Sequence, residues 1–394
     1  MDTSRQESPG LRRGEGQPHL SPSELAKLKR HLRLAVIYNG DRGGPEAVIH
    51  PTHNPRSDKS YRPVAEDIAQ ALRNCGFAHV ELLADDLSLA HKLRAHEVHF
   101  AWLNTAGVQG YDAVAHTPGL LELAGIPYVG HRPLLAVTLD NKHVFKRELA
   151  ALGLPTAPFH VLDAARGGGN LKDNKRFSAV FGAYDGPFVV KPVSGRGSVG
   201  VHFVPDRASL TATVRTVYET TLNQVLVEPY LPGREFCVSV CGGTIARGGE
   251  LTRQEGAFAF SALERRLEAD ERIFTSMDIR PITRDRTRLI TPADGALHTQ
   301  LMSIARSVYR DFNLRTLVRL DLREDAAGRL HILEANPKPD LKRPDGQKLS
   351  LVCAGLQDEG MSYEDLILSL LADRLDFYLR HRPAAVKHIA GLLG

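Results

Sequence analysis

The residues best suited to chemistry begin with Lys191, which leads through Pro192-Val193-Ser194 into Gly195-Arg196-Gly197-Ser198-Val199-Gly200, between the apolar runs Phe188-Val189-Val190 and Val201 to Val204. A cation at the root of a glycine-rich turn suits phosphate. Glycine has no Cβ and tolerates positive φ, so backbone N–H groups can close on phosphate oxygens while the ammonium supplies charge. The glycines spell G-x-G-x-x-G, but the dinucleotide fingerprint needs a helix after the turn, and Val201 to Val204 followed by Pro205 reads as a second strand. A Walker loop does not fit either, because its lysine follows the glycines and opens a helix. What remains is a strand-turn-strand flap over phosphates, with an ordinary Gly-rich hairpin as the alternative.

A second group lies downstream. Leu317-Val318-Arg319-Leu320-Asp321-Leu322 alternates with period two, so Arg319 and Asp321 share one face and the apolar residues the other. After a turn near Glu324 to Gly328, Leu330 to Asn336 alternates as well and puts Glu334 and Asn336 on one side. Paired antiparallel, the two strands bring Asp321, Glu334 and Asn336 onto a common face. Three hard oxygen donors there suit magnesium, which takes one or two carboxylates together with nucleotide phosphates and water. The bland reading is a solvated outer face, but such a face needs neither an arginine two residues before the acid nor an asparagine running into Pro337-Lys338-Pro339.

These groups need rigid elements to hold them. Leu34 to Tyr38 reads as a buried strand ending at Asn39-Gly40, Val64 to Cys75 as a helix, His79 to Leu83 as a strand and Leu87 to His96 as a helix; His99 to Leu103 reads as a strand reaching Asn104. That alternation predicts a parallel α/β sheet with functional loops at the strand C-ends. The loop from Gly40 to Arg62, which contains Lys59 and Tyr61, is long enough to be a binding element, so these two and Asn104 are candidates for substrate contact. Helices are predicted over Gly119 to Leu123, Asp140 to Leu152, residues 295 to 310 and Glu364 to Leu375. Ala164 to Asp185 reads as a surface excursion, and Gln224 to Glu228 as a strand meeting a hinge at Pro229-Tyr230-Leu231-Pro232-Gly233 before the strand from Glu235.

Composition sets the frame. With 394 residues and 42% hydrophobic content the chain can bury several cores, and residues 1 to about 20 read as a polar, disordered leader, followed by a short helix at Ser23 to Arg30. A net charge of +4 and the lack of any long Lys/Arg block give no sign of nucleic acid as a partner. No segment approaches the ~20 apolar residues of a membrane span, and no secretory signal is apparent, so the expected location is cytoplasmic, without a membrane partner. Cys75, Cys237, Cys241 and Cys353 lack metal-ligand spacing and read as reduced packing residues.

Taken in order, Lys142, the Lys191 flap, Glu228 with its hinge, Glu235 and the hairpin of Arg319, Asp321, Glu334 and Asn336 resemble the ATP-grasp superfamily, and most closely the D-alanine:D-alanine ligases. The resemblance extends over roughly residues 31 to 375. It implies an α/β chain of the ATP-grasp fold: an N-terminal parallel α/β (pre-ATP-grasp) domain at 31–135 after a leader at 1–30, then two α+β lobes at 136–232 and 233–394 holding ATP between them. By resemblance, Lys142 and Lys191 contact ATP phosphates, and the backbone at Gly197, Ser198 and Val199 closes over them. The hinge residues Glu228, Tyr230 and Leu231 hold adenine, and Glu235 takes the ribose hydroxyls. Asp321, Glu334 and Asn336 hold two Mg2+ ions, for which Mn2+ can substitute. Arg319, with Lys191 and Ser198, serves catalysis by stabilising charge as a carboxylate is phosphorylated and the acyl phosphate is captured by an amine.

The departures bear on substrate. Those ligases open with a Gly-rich loop and an acidic ammonium anchor, where this chain has the loop through His50, His53 and Lys59; after the asparagine they read a small Thr or Ser and a Pro-Gly turn, where this chain has Pro337 to Lys348. Lys338, Lys342, Arg343 and Lys348 border the acceptor side in that architecture and favour an anionic substrate, a solvated basic loop being the alternative. The expected activity is ligation of amino acids or small peptides in specialised metabolism, such as natural-product assembly, with a homodimer as the assembly to test. Cell-wall D-alanine:D-alanine ligation, an ATP-grasp kinase and an inactive nucleotide-binding regulator are the alternatives.

Overall fold

Leu34, Val36 and Ile37 are buried on both faces of a central strand, β1 (Arg33–Asn39), which pairs in parallel with β2 (His79–Asp85) on one side and β3 (Phe100–Asn104) on the other; β3 in turn carries the short edge strand β4 (Tyr128–Val129). Continuous apolar runs of this kind belong to parallel sheets covered on both faces. The computed structural model describes residues 20–40, 61–108, 110, 112–163, 171, 174–195, 197–268, 271–273, 283–344 and 350–394. The sheet is covered by α1 (Pro22–His31), α2 (Arg62–Asn74), α3 (Leu89–Ala95) and α4 (His116–Ala124). Ser21 and Glu24 form a capping box that starts α1, and Leu25 and Leu28 bury it. The expected short helix is therefore tied into the core. The remainder of the leader and the loop residues 41–60, among them His50, His53 and Lys59, lie outside the described residues.

β5 (His160–Leu162), β6 (Phe188–Pro192), β7 (His202–Val204) and β8 (Val225–Pro229) form an antiparallel sheet in the order β5-β8-β6-β7. The β6–β7 pair is the expected flap hairpin. Inside the stretch read as a featureless excursion, Asn174 caps a helix over Lys175–Phe181 through Phe177 N at 3.0 Å, and Phe177 and Phe181 pack on Phe188. The aromatic pair, four residues apart, was the signal. A further helix over Leu210–Thr221 covers the same sheet.

The largest sheet is built from β9 (Glu235–Cys241), β12 (Phe258–Arg265), β13 (Thr287–Leu289), β14 (Val318–Glu324) and β15 (Leu330–Asn336), in the order β13-β12-β9-β14-β15, with the ribbon β10 (Thr244–Arg247) and β11 (Glu250–Arg253) beside it. The helix expected from Asp140 to Leu152 is present as α6 (Lys142–Ala151), which starts where Asn141 accepts from Val144 N, and a further helix that had not been read, α5 (Pro133–Asp140), ends just before it. Leu135, Leu139, Phe145 and Leu149 pack with Phe236, Val238 and Leu320, so α5 and α6 share the core of the large sheet. The helix α9 (Ala296–Asp311) covers it too. The long helix α10 (Tyr363–His381) packs through Leu366, Ile367 and Leu370 into one core with Leu34 and Val36 of β1. No helix among the described residues is long and apolar enough to cross a membrane. All four cysteines are free, and Cys237, Cys241 and Cys353 are buried.

Candidate active site

The antiparallel sheet and the large sheet enclose a cleft with about 640 Å³ of empty space, part of it open to solvent. Lys191, Ser198, Glu228, Tyr230, Leu231, Glu235, Asp321 and Glu334 all line it. Residues up to 143 positions apart in the sequence, Lys191 and Glu334, thus share one space.

On the first wall, the register Lys191↔Leu226 and Val189↔Glu228 places the lysine of β6 and the acid of β8 on the cleft side of neighbouring strands. Lys191 Nζ pairs with Glu228 Oε1, and Lys146 Nζ, from α6, lies 3.0 Å from Glu228 Oε2. One carboxylate serves two ammonium groups. Burial by itself pushes the Glu228 carboxyl up, but Lys146 and Lys191 hold it down at about 2. For Lys146, burial wins and its pKa falls below the usual lysine value, while Thr156 Oγ1 takes its second contact at 2.7 Å. For Lys191, burial is outweighed by Glu228 and Glu334, and its pKa rises.

On the second wall, β14 and β15 pair with Asp321 opposite Glu334 and Arg319 opposite Asn336, with a bulge just after Asp321. The common face expected from alternation is present. Arg319 donates twice to Asp321, Nε to Oδ1 at 2.9 Å and Nη2 to Oδ2 at 3.1 Å, and Arg265 Nη2 lies 3.3 Å from Oδ2. Burial opposes ionisation of Asp321, yet Arg265 and Arg319 hold its carboxyl below the usual range. Lys142, at the start of α6, reaches Glu334 Oε2 at 3.2 Å and Gly195 O at 3.1 Å, so it links the β14–β15 hairpin to the flap.

Asp321, Glu334 and Asn336 could hold a divalent cation. Asn336 Nδ2 is buried without a hydrogen-bond partner among the described residues, and Oδ1 is the atom of this amide that would meet a cation. Each carboxylate oxygen accepts at two sites, and Asp321 Oδ1 has one of them engaged by Arg319. Two acids and one amide oxygen fit magnesium, with nucleotide phosphates and water completing its six positions.

The flap tip is glycine-dependent. Gly200 has φ +72° and a Cβ there would come within 3.2 Å of Thr221 Cγ2, while Ser198 itself has φ 58°. Ser198 reaches the cleft lining, whereas Gly197, Ser198 and Val199 are exposed, and Arg196 lies outside the described residues. At the hinge, Tyr230 N donates to Pro187 O at 2.8 Å and its ring meets Phe203 edge-on at 5.0 Å. Both oxygens of Glu235, expected to meet ribose hydroxyls, accept from guanidinium groups: Oε1 from Arg265, and Oε2 from Arg323 Nη1 at 3.2 Å. Arg323 Nη2 also donates to the Tyr230 hydroxyl at 2.9 Å.

Lys146, Arg265 and Arg323 were missed from the sequence. Lys146 stands one turn after Lys142 on α6, and Arg323 continues the alternation of Arg319 and Asp321, so both carried a periodic signal. Arg265 ends a strand that had not been read.

Tyr61, Asn104 and Lys338 gather at the C-end of the parallel sheet: Asn104 Nδ2 donates to Tyr61 O at 3.0 Å, and Lys338 Nζ sits 3.5 Å from the centroid of the Tyr61 ring. Beside them, Thr105 Oγ1 lies 2.6 Å from Asp85 Oδ2 and 2.7 Å from Asn39 Oδ1, joining the ends of β1, β2 and β3. Lys342 and Arg343 are placed differently. Lys342 Nζ pairs with Asp67 at 2.8 Å and Arg343 Nη2 with Glu364 at 2.8 Å, so these cations fasten the segment to α2 and α10 and do not add freely to a substrate field. Lys348 lies outside the described residues.

The family profile described as D-ala D-ala ligase C-terminus matches residues 149–372, more than half of the chain. The chain belongs to that family. It is an ATP-grasp ligase, a former of carbon–nitrogen bonds. It is similar to the Uncharacterized protein y4sG of Sinorhizobium fredii, 27% identical over 355 residues that cover 86% of this chain and 96% of that protein. A D-alanine--D-alanine ligase of Gloeobacter violaceus is 28% identical over 279 residues, covering 70% of this chain and 82% of the other. The fold matches the crystal structure of D-alanine--D-alanine ligase from Bacillus anthracis complexed with ATP, with a TM-score of 0.60 over 88% of this chain and 98% of that one, at 20% identity.

Proposed function

We propose that this ligase joins the carboxylate of one amino acid or small peptide to the amine of another at the expense of ATP, in specialised metabolism. The observation that carries the chemistry is the opposition of Lys191, Glu228 and Lys146 on one wall to Asp321, Glu334 and Lys142 on the other. In this reading Tyr230 and Leu231 flank adenine, Lys142 and Lys191 bind phosphate oxygens, and the Ser198 backbone closes over the terminal phosphate. Glu235, though engaged by Arg265 and Arg323, keeps lone pairs for ribose hydroxyls. Magnesium held by Asp321, Glu334 and Asn336 supplies charge neutralisation on the transferring phosphoryl group.

The substrate carboxylate oxygen attacks the γ-phosphorus and ADP departs, giving an acyl phosphate. An amine then adds to the acyl carbon, and the tetrahedral oxyanion collapses with loss of phosphate and a proton. Arg319 is buried and aligned by Asp321 through Nε and Nη2, which leaves Nη1 outside that pair to meet developing negative charge. Lys338, against the Tyr61 ring, would meet a substrate carboxylate in this reading. The segment after Asn336 departs from the small-residue turn of D-alanine ligases, which supports a different amino-acid or peptide pair. The second reading, D-alanine:D-alanine ligation, is favoured by the relatives' names and fits the comparisons equally well.

The test is ATP consumption against a panel of D- and L-amino acids and dipeptides, with products identified by mass spectrometry. Release of ADP and phosphate only when both a carboxylate and an amine partner are present, with a new amide in the product, is expected. Phosphate retained on the product assigns a kinase, and D-alanyl-D-alanine as the sole product assigns the second reading.

A further inference from the structure

Away from the ATP cleft, and sharing none of its lining residues, a second cavity lies between the start of β4, the end of α4, the turn into β14 and the last turns of α10. It contains about 1460 Å³ of empty space, counted to its open mouth. Tyr128 at its wall pairs with Ala101 near the start of β3, whereas the strand-end groups Asn39, Asp85 and Asn104 lie at the C-ends. The cavity thus opens at the other end of the parallel sheet from the candidate substrate contacts.

Its deepest cation is Arg374, only 3% exposed. Nε donates to Tyr128 O at 3.1 Å, and the guanidinium carbon stands 5.0 and 4.7 Å from the ring centroids of Phe377 and Tyr378. Nη1 is buried with no hydrogen-bond partner among the described residues. An unsatisfied buried guanidinium N–H is costly, and the side chain that carries this one is among those lining the cavity. Half-buried Arg315 stands over the same Phe377 ring at 4.9 Å, and Arg132 and Arg382 are exposed at the rim. The one carboxylate in the lining, Glu122, already accepts from the Tyr128 hydroxyl at 3.0 Å. Of the neighbouring acids of α10, Asp373 accepts from Thr244 N and also lies within the field of Arg374, while Asp376 accepts from Leu20 N and Thr244. Four guanidinium groups against one engaged acid leave a strongly positive cavity with an aromatic wall. His381 feels that field: burial first, then Arg380, Arg315, Arg253 and Arg382 push its pKa down.

We propose that this cavity binds a small organic oxyanion, a phosphate monoester or free carboxylate head held by Arg374 and Arg315 on a body that packs against Phe377 and Tyr378. Guanidinium groups match the planar pairs of oxygens on both heads, and the aromatic rings supply apolar surface for the remainder. Such a site is independent of the ligase chemistry, because no residue assigned to the cleft takes part.

Isothermal titration of the full chain with phenyl phosphate and with benzoate separates the two heads, with phenol as the neutral control and ionic strength held constant by NaCl. A single binding event for at least one anion, absent for phenol and preserved in Lys191→Ala, is expected. Arg315→Gln should weaken it about tenfold, the loss of one charge-assisted hydrogen bond, and Arg315→Gln with Arg382→Gln should weaken it further. Arg374→Gln should abolish it; since that residue is buried, the rim double variant carries the test if Arg374→Gln does not fold. No binding of either anion, binding lost in Lys191→Ala, or binding unchanged in the rim double variant would each overturn the assignment.

Discussion

Glu228→Gln keeps a side chain of the same shape and removes the one charge that Lys146 and Lys191 share. Lys146 is fully buried and Lys191 is 5% exposed, so neither can turn to water for compensation. At 3.0 Å, Lys146 Nζ and Glu228 Oε2 attract by about 5 kcal/mol at an effective dielectric of about 20. Desolvation offsets much of that, and removing one member of a buried pair costs roughly 3–5 kcal/mol. The depression of the Glu228 carboxyl from 4.5 to about 2 leads independently to roughly 3 kcal/mol. Because the folded value lies below the unfolded one, this stabilisation is complete above about pH 4.5 and is lost as pH falls through about 2. Native-state hydrogen exchange at the amides of β6 and β8 reads the opening of this sheet without requiring the whole chain to unfold in one step. The expected result is a loss of roughly 3–5 kcal/mol in Glu228→Gln, a double variant with Lys146→Met that costs clearly less than the sum, and a flatter pH dependence between 4.5 and 2. Additivity of the two single variants within about 0.5 kcal/mol, with the pH slope unchanged, would refute the shared-charge account.

Lys191→Met should lower kcat/KM by about 10²-fold or more in an ADP-release assay, with the circular dichroism spectrum retained. Asp321→Asn and Glu334→Gln should each move the Mg2+ titration of activity to higher concentration, since an amide oxygen is a poorer ligand for a hard cation; an unchanged midpoint relocates the metal site. Lys338→Met should raise the KM of the carboxylate substrate and leave the ATP KM unchanged. Lys342→Met, by contrast, breaks a partly exposed pair with Asp67 and should cost at most about 1 kcal/mol of stability with both KM values unaltered.

The two hairpins were legible because period-two alternation fixes which side chains share a face: Asp321 opposite Glu334 and Arg319 opposite Asn336 follow from it once the strands pair. The parallel sheet was legible for the same reason, from apolar runs alternating with helical spacing. Partners were not. Nothing local to Lys342 announces Asp67, 275 positions away, and nothing near Glu228 announces that Lys146 on α6 will share it with Lys191. Nor does the sequence announce that α10 packs into the core of the parallel sheet through Leu366 and Ile367, because an amphipathic pattern says that a face is buried and not against what.

The charges of the cleft explain why Glu228 is needed at all. Lys142, Lys146, Lys191, Arg265, Arg319 and Arg323 face Glu228, Glu235, Asp321 and Glu334, so six cations meet four acids and two positive charges remain for an anionic nucleotide. A phosphate site of lysines has to be charged when the nucleotide arrives, yet burial pushes a lone ammonium toward its neutral form. Lys146 shows that tendency, with its pKa lowered by burial, and Lys191 escapes it because Glu228 and Glu334 both act on it. Glu228 thus keeps Lys191 protonated and in place before any phosphate is present, and Lys146, fixed by Thr156, in turn holds the Glu228 carboxylate against the cleft wall. In the proposed reading the acid at the end of β8 would position Lys191 for phosphate as much as border adenine, and the same variant distinguishes the two roles. If it only bordered adenine, Glu228→Gln would change ATP and GTP selectivity and leave the pH profile of turnover alone. If it sustains the lysine charge, turnover in the variant should fall at a lower alkaline pH than in the parent, because Lys191 with a raised pKa in the parent loses its largest favourable neighbour.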